Sequence, residues 1–147
     1  MIFRATDDDM NCIRSIWFEE QLIAPPVVHL FSALGRDLGA RLVSQGIDRA
    51  LSEHGAYVVR PDGAPDDTVA AFMVADLGGP LVHWLCVKRA WRKQGLTRPL
   101  FAMLDGLEGV RFSRYATKAQ RVALEARGWT FAPTEAPDVA LVAGALS

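Results

Sequence analysis

Along the first part of the chain the apolar positions Met10, Ile13, Ile16 and Trp17 recur at the three- and four-residue spacing of one helix face. Thr6 and then Asp7-Asp8-Asp9 come just before them, an N-cap residue followed by acids that complement the helix dipole, so a helix is predicted to start there. Met1 to Ala5 is predicted as a first strand. Pro25-Pro26 interrupts the pattern, after which Leu30, Leu34, Leu38 and Leu42 form an i, i+4 ladder that predicts a second helix. Gly35 and Gly39 within that ladder each weaken a helix by about 1 kcal/mol relative to Ala, and are compatible with close packing.

The period then changes. Ala56 to Arg60 is β-rich, Pro61 to Asp67 has turn composition, and Thr68 to Ala75 reads as the next strand. Gly78-Gly79-Pro80 is a turn, and Leu81 to Val87 is apolar on both faces except at His83, the pattern of a central strand. Pro99 to Leu104 is a short helix, Val110 to Arg114 a fifth strand. Thr117-Lys118-Ala119-Gln120 has capping-box form and opens a helix ending near Gly128. Trp129 to Phe131 and Val139 to Val142 are predicted as short closing strands. The order is β-α-α-β-β-β-α-β-α-β-β, an α/β arrangement in one domain spanning residues 1–147.

With 147 residues, half of them hydrophobic, the chain is long enough for a real core. No apolar run reaches membrane-spanning length, since the longest uncharged stretch, Gln21 to Gly35, contains Pro25-Pro26 and His29. The N-terminus lacks signal-peptide form, and Cys12 and Cys86 form no paired motif, so a cytoplasmic protein with two reduced thiols is expected. His29, His54 and His83 have no metal-ligand spacing, and no metal is expected.

Charge changes the picture at one place. Lys88, Arg89, Arg92, Lys93 and Arg98 fall within eleven residues, and no Asp or Glu occurs from Leu77 to Leu104, on a chain whose formal net charge is only -1. A local basic patch on a balanced protein points to a small anionic ligand rather than to a nucleic acid. The strand ending at Val87 runs through this loop into a helix N-terminus, where unpaired N–H groups and the positive end of the dipole suit a phosphate. Gly95, having no Cβ, lets the backbone approach a ligand closely. The other reading of such a loop is a solvated surface.

Leu85-x-Val87 followed by Arg92-x-x-Gly95-x-Thr97 resembles motif A of the GNAT superfamily, the GCN5-related N-acetyltransferases. The run Val87-Lys88-Arg89-Ala90-Trp91-Arg92-Lys93-Gln94-Gly95 is most similar to the arylalkylamine N-acetyltransferase branch. Thr97 departs from the Gly or Ala usual in the family. The resemblance implies a mixed, mostly antiparallel central sheet of about six or seven strands flanked by helices. It also implies transfer of an acetyl group from acetyl-CoA to an amine of a small molecule or protein. Backbone groups of Leu85 and Val87 would then pair with the pantetheine arm. Arg92 and the N–H groups of Lys93, Gln94, Gly95, Leu96 and Thr97 would hold the pyrophosphate. His83 aligns with one strand histidine of that branch, which implies a catalytic base, while the second histidine position is Leu81. Strict alternation would set His83 on the face of Leu85 and Val87, with Cys86 opposite as inert core. A satisfied core histidine is the other reading of His83.

The family's tyrosine acid, four residues before a Gly-aromatic pair, corresponds to Leu124 ahead of Gly128-Trp129, and a leucine cannot protonate a thiolate. Tyr115 is the one tyrosine in the C-terminal half and its spacing does not match. A second class of function therefore stands beside catalysis: a degenerate GNAT-like domain with little or no activity that binds and modulates a protein partner. Its surface would be the Val27–Leu51 helix, unless that helix is ordinary core packing. No nucleic-acid or membrane partner is expected, and the acceptor and the oligomeric state are left open.

Overall fold

Six strands lie side by side in sequence order in the computed structural model, which describes residues 1–24, 32–137 and 139. They are β1 (Ile2–Arg4), β2 (Gly55–Val59), β3 (Ala71–Asp76), β4 (Leu81–Val87), β5 (Arg111–Phe112) and β6 (Thr130–Phe131). The first four pair antiparallel; β5 runs parallel to β4 and β6 parallel to β5. This is the mixed α/β sheet flanked by helices that the sequence leads one to expect.

Helices cover both faces. α1 (Asp7–Leu22) and α2 (Arg36–Glu53) bury Ile13, Trp17, Val43, Ile47 and Ala50 against Val58, Phe72, Val74, Trp84 and Cys86. α3 (Arg98–Asp105) and α4 (Lys118–Ala126) bury Leu100, Leu104 and Leu124 against Ala71, Met73, Val82, Leu85 and Phe112. Alternate residues of β3 serve opposite cores, as the two-residue period of a strand requires. Trp17 stacks on Trp84 with centroids 6.3 Å apart and joins α1 to the central strand.

Several boundaries move for physical reasons. The second helix begins at Arg36, because Gly35 has φ +80° and serves as its N-cap; Leu30 lies outside the described residues. Gly39 and Gly46 are buried within it, and its apolar face packs on α1 and the sheet, while Leu38 is 36% exposed. β5 is only two residues long, since the chain leaves β4 after Phe112. Of the closing strand expected at Val139 to Val142, only Val139 lies among the described residues; it is helical, and its N–H donates to the Ala136 carbonyl at 3.1 Å. Among the described residues no helix is long and apolar enough to cross a membrane.

The start of α1 is fixed by one buried carboxylate. Asp9 accepts from the Thr6 N–H at 2.8 Å while the Thr6 hydroxyl accepts from the Asp9 N–H at 3.3 Å, a complete capping box. The Arg60 guanidinium, just past β2, donates to both Asp9 oxygens at 2.8 and 2.7 Å. Burial opposes the charge on Asp9, but the Thr6 N–H, Arg60 and the Thr6 hydroxyl together hold its carboxyl below the usual carboxylate range. A depressed folded pKa contributes stability that is complete above the unfolded value and fades as pH falls through the folded one. Asp9→Asn leaves Arg60 without its counter-charge and should cost about 3–5 kcal/mol at neutral pH. Denaturant unfolding should show the parent and variant curves drawing together as pH falls below about 4, the ordinary carboxyl value, and meeting only once the folded carboxyl, held lower, is also neutral.

Candidate functional site

The site grows from one extra residue in β4. Val74 pairs with Trp84 but Ala75 pairs with Val82, so His83 has no partner across the ladder and forms a bulge. A bulge shifts the alternation of the strand. Val82, Leu85 and Val87 therefore face the α3–α4 core, whereas His83 turns with Trp84 and Cys86 toward α1 and α2. This corrects the expectation that His83 shares a face with Leu85 and Val87 and that Cys86 lies opposite to it. Strict alternation fails at the bulged residue.

Beyond the bulge, β4 and β5 part. The last backbone bond between them runs from the Ser113 N–H to the Val82 carbonyl at 2.9 Å. Farther along, Lys88 N–H donates to Ala70 on the β3 side, so the peptide groups of Trp84 and Cys86 serve β3 and those of Leu85 and Val87 face the opening. The cleft of about 340 Å³ that results is lined by Leu85, Cys86, Val87, Arg92, Ala116, Thr117, Gln120 and, from α1, Glu20.

Both exposed carbonyls of this opening are met by side chains. Gln120 Nε2 donates to the Leu85 carbonyl at 3.0 Å while its Oε1 accepts from the Ala116 N–H, so one side-chain amide spans the gap as a peptide rung would. Thr117 caps α4 by accepting from the Gln120 N–H at 3.1 Å, but the expected return contact of a capping box is absent because Gln120 is engaged across the cleft. Arg92 Nε donates to the Val87 carbonyl at 3.3 Å, and the same guanidinium lies 3.5 Å from Glu20.

At the mouth, the chain passes through a short 3-10 turn (Arg89–Trp91) into the loop before α3. Lys93 has φ +65° and Gly95 φ +73°, flanking Gln94, whose φ is not positive. With Arg92 at φ -65° and ψ 154°, the positive φ of Lys93 gives the pattern of a type II turn. The N–H groups of Lys93, Gln94, Gly95, Leu96 and Thr97 donate to none of the described residues. Thr97 is the N-cap of α3 and makes no side-chain cap bond; of the first helical residues, Arg98 donates its N–H to the Gly95 carbonyl at 3.2 Å and Pro99 has no N–H. Gly95 lies against the Arg98 side chain, 3.6 Å from where a Cβ would stand.

His83 sits where the strands part. Its ring is 2% exposed, its Nδ1 is 3.0 Å from Ser113 Oγ, and it stacks on His54 with centroids 4.9 Å apart and 28° between planes. Both imidazoles line a cavity of about 320 Å³ between the end of α2, β4 and a 3-10 turn (Pro133–Glu135). Arg49 and Glu53 pair at 3.0 Å on its rim, and Glu135 is held by Arg111. His54 escaped the sequence reading because nothing in its local spacing marks it; it reaches His83 only through the packing of α2 on the sheet. Cys86 is pushed up to about 12, mainly by burial and then by the Glu20 charge, so it remains a thiol and no nucleophile. Among the described residues no group of His, Cys, Asp and Glu is arranged to hold a metal ion.

Compared with known protein families, characterised proteins and solved structures, the chain matches none.

Leu124 does not reach the cleft. It is 3% exposed in the α3–α4 core with Leu100, Leu104 and Trp129, while Thr117 and Gln120 are the α4-side residues that line the opening. Tyr115 is also core, edge-on to Phe131 at 5.2 Å and beneath the Arg121 guanidinium. Leu124→Tyr must therefore fit a phenol into a filled core. It should lose about 1–3 kcal/mol by overpacking and should not raise any acyl-transfer rate, as denaturant unfolding and a thiol-release assay would read.

Proposed function

We propose that the chain is an acetyl-CoA-dependent N-acetyltransferase acting on an amine of a small molecule or protein, in a reducing, cytoplasmic setting. The observation that carries this reading is the opening of β4 from β5 at Val82, leading into five consecutive N–H groups without a described acceptor at a basic, acid-free loop. An extended arm in the cleft would pair with Leu85 and Val87 as an added strand does. The diphosphate at its far end would meet the N–H groups of Lys93 to Thr97, with Arg92 beside them. Acetyl-CoA supplies the activated thioester. For the acyl carbon to lie near the point where the strands part, the arm must displace the Gln120 amide from Leu85 and Ala116 and the Arg92 guanidinium from Val87.

His83 has the chemistry of a base at that point. A neutral imidazole accepts an ammonium proton near pH 7, and the Ser113 hydroxyl fixes the ring through Nδ1. None of the residues lining the cleft is a tyrosine, so protonation of the departing thiolate falls to water in this reading.

The partner-binding reading draws on a different observation: with Gln120 and Arg92 in place, both opening-side carbonyls are already satisfied without any arm. Calorimetry separates the two. The parent should bind acetyl-CoA and CoA, and Gly95→Glu should abolish binding by adding a strained side chain and a negative charge at the loop. No affinity in the parent moves the assignment to the partner-binding class, and unchanged affinity in the variant removes the loop as the phosphate site. In a thiol-release assay against an amine panel, His83→Ala should lower turnover by about 10²–10⁴-fold with acetyl-CoA affinity nearly unchanged.

A further inference from the structure

We propose that Glu20 selects the acceptor: its carboxylate holds a second positive charge on the amine substrate, so the site favours a diamine over a monoamine. This rests on the acyl-transfer reading of the same cleft. Glu20 stands in the last turn of α1 and is the one carboxylate among the described residues that line the opening beside β4. That turn carries no basic residue, so the negative end of the helix dipole adds to the carboxylate and favours a cation there.

Among the described residues Glu20 has its ion pair with Arg92, at 3.5 Å, and the two side chains are 28% and 53% exposed. A pair so exposed contributes little. The other contact of the same guanidinium is the Val87 carbonyl at 3.3 Å. Donor binding competes for both. The arm claims the Val87 carbonyl, and the diphosphate claims the guanidinium, whose planar fork suits phosphate oxygens better than one loosely held carboxylate. Glu20 is then left in the cleft without its counter-charge, beside the Cys86 thiol that its charge already reaches. A partly buried carboxylate in that state is costly until another cation takes the place of the one removed. The phosphates of the donor meanwhile offset Arg92, Lys93 and the other basic groups of the loop, so these do not repel the newcomer.

The cation held at Glu20 is not the reacting nitrogen. His83 lies at the bulge, where the strands part. Glu20 meets β4 at Cys86 and Val87, three and four residues farther on, about 10 Å or more along the strand. The nitrogen that loses its proton near His83 and the nitrogen paired with Glu20 are therefore two positions on one acceptor. A neutral tail gains nothing from the carboxylate, and an anionic tail is repelled by it.

The test is a matched acceptor panel on the full chain with acetyl-CoA, read by thiol release: α,ω-diaminoalkanes, amino alcohols and amino acids of equal chain lengths. The parent should prefer the diamine to the amino alcohol by about tenfold or more in kcat/KM, and only in chains long enough to span the two positions. Glu20→Gln, which keeps the shape and removes the charge, should bring that ratio close to one. Glu20→Lys should invert it in favour of the amino acid. A loss of folded protein lowers every rate alike and leaves the ratio untouched, so the ratio reads the charge at this position. A parent that shows no preference for the diamine, or a preference that survives both substitutions, would overturn the role of Glu20 while leaving acyl transfer in place. A parent without acetyl-CoA affinity by calorimetry would overturn the acyl-transfer reading, and the acceptor assignment with it.

Discussion

The candidate site depends on a single surplus residue in the central strand. With β4 in perfect register, His83 would lie under α3 and α4, and nothing would mark the place where β5 leaves. The bulge turns His83 over and puts two successive side chains, His83 and Trp84, on the α1–α2 face. It also increases local twist, as bulges do, at the level where the parallel pairing with β5 stops. A parallel strand that loses its neighbour partway leaves carbonyls and N–H groups facing a gap inside the sheet rather than at its rim. The cleft, the two side chains that meet its carbonyls and the placement of His83 all follow from that gap.

Around it the fold is held by tethers that differ in strength. The Asp9–Arg60 pair is buried and hydrogen-bonded, 3% and 12% exposed at the two side chains, and it locks the start of α1 to the end of β2. The cleft has weaker closures. Arg92 is 53% exposed and meets Glu20 at 3.5 Å, a pair whose worth in water is small. The buried tether thus lies at the start of α1, and the exposed, more exchangeable contacts lie at the opening.

Much of the architecture was readable because periodicity reports burial. Thr6 and the Met10–Trp17 spacing give α1, and the all-apolar run at Leu81 to Val87 gives the central strand. The basic loop was equally plain, since charge and glycine are visible in composition. The bulge was not, because an extra residue inside a strand apolar on both faces changes no pattern: Val82, His83 and Trp84 are buried in either register. His54 belongs to no motif and joins the site only through tertiary packing. Leu124 misled for a related reason. Its offset from Gly128-Trp129 is a matter of sequence, whereas the direction it faces is a matter of helix phase, and that phase sends it into the core.

Gln120 carries an implication for what can occupy the cleft. Its side-chain amide donates one N–H to a carbonyl of β4 and accepts through Oε1 from an N–H beyond β5. An incoming chain that evicts it must return both, or leave a half-buried carbonyl and amide unmatched at about 1–3 kcal/mol apiece. A hydrocarbon tail of the right width fails that exchange, and so does an ester, which accepts but cannot donate. An amide satisfies it with a single functional group. A ligand entering this cleft would therefore be selected by the polarity pattern of its linker, before any charge at the mouth or any reactive carbon at its end is felt.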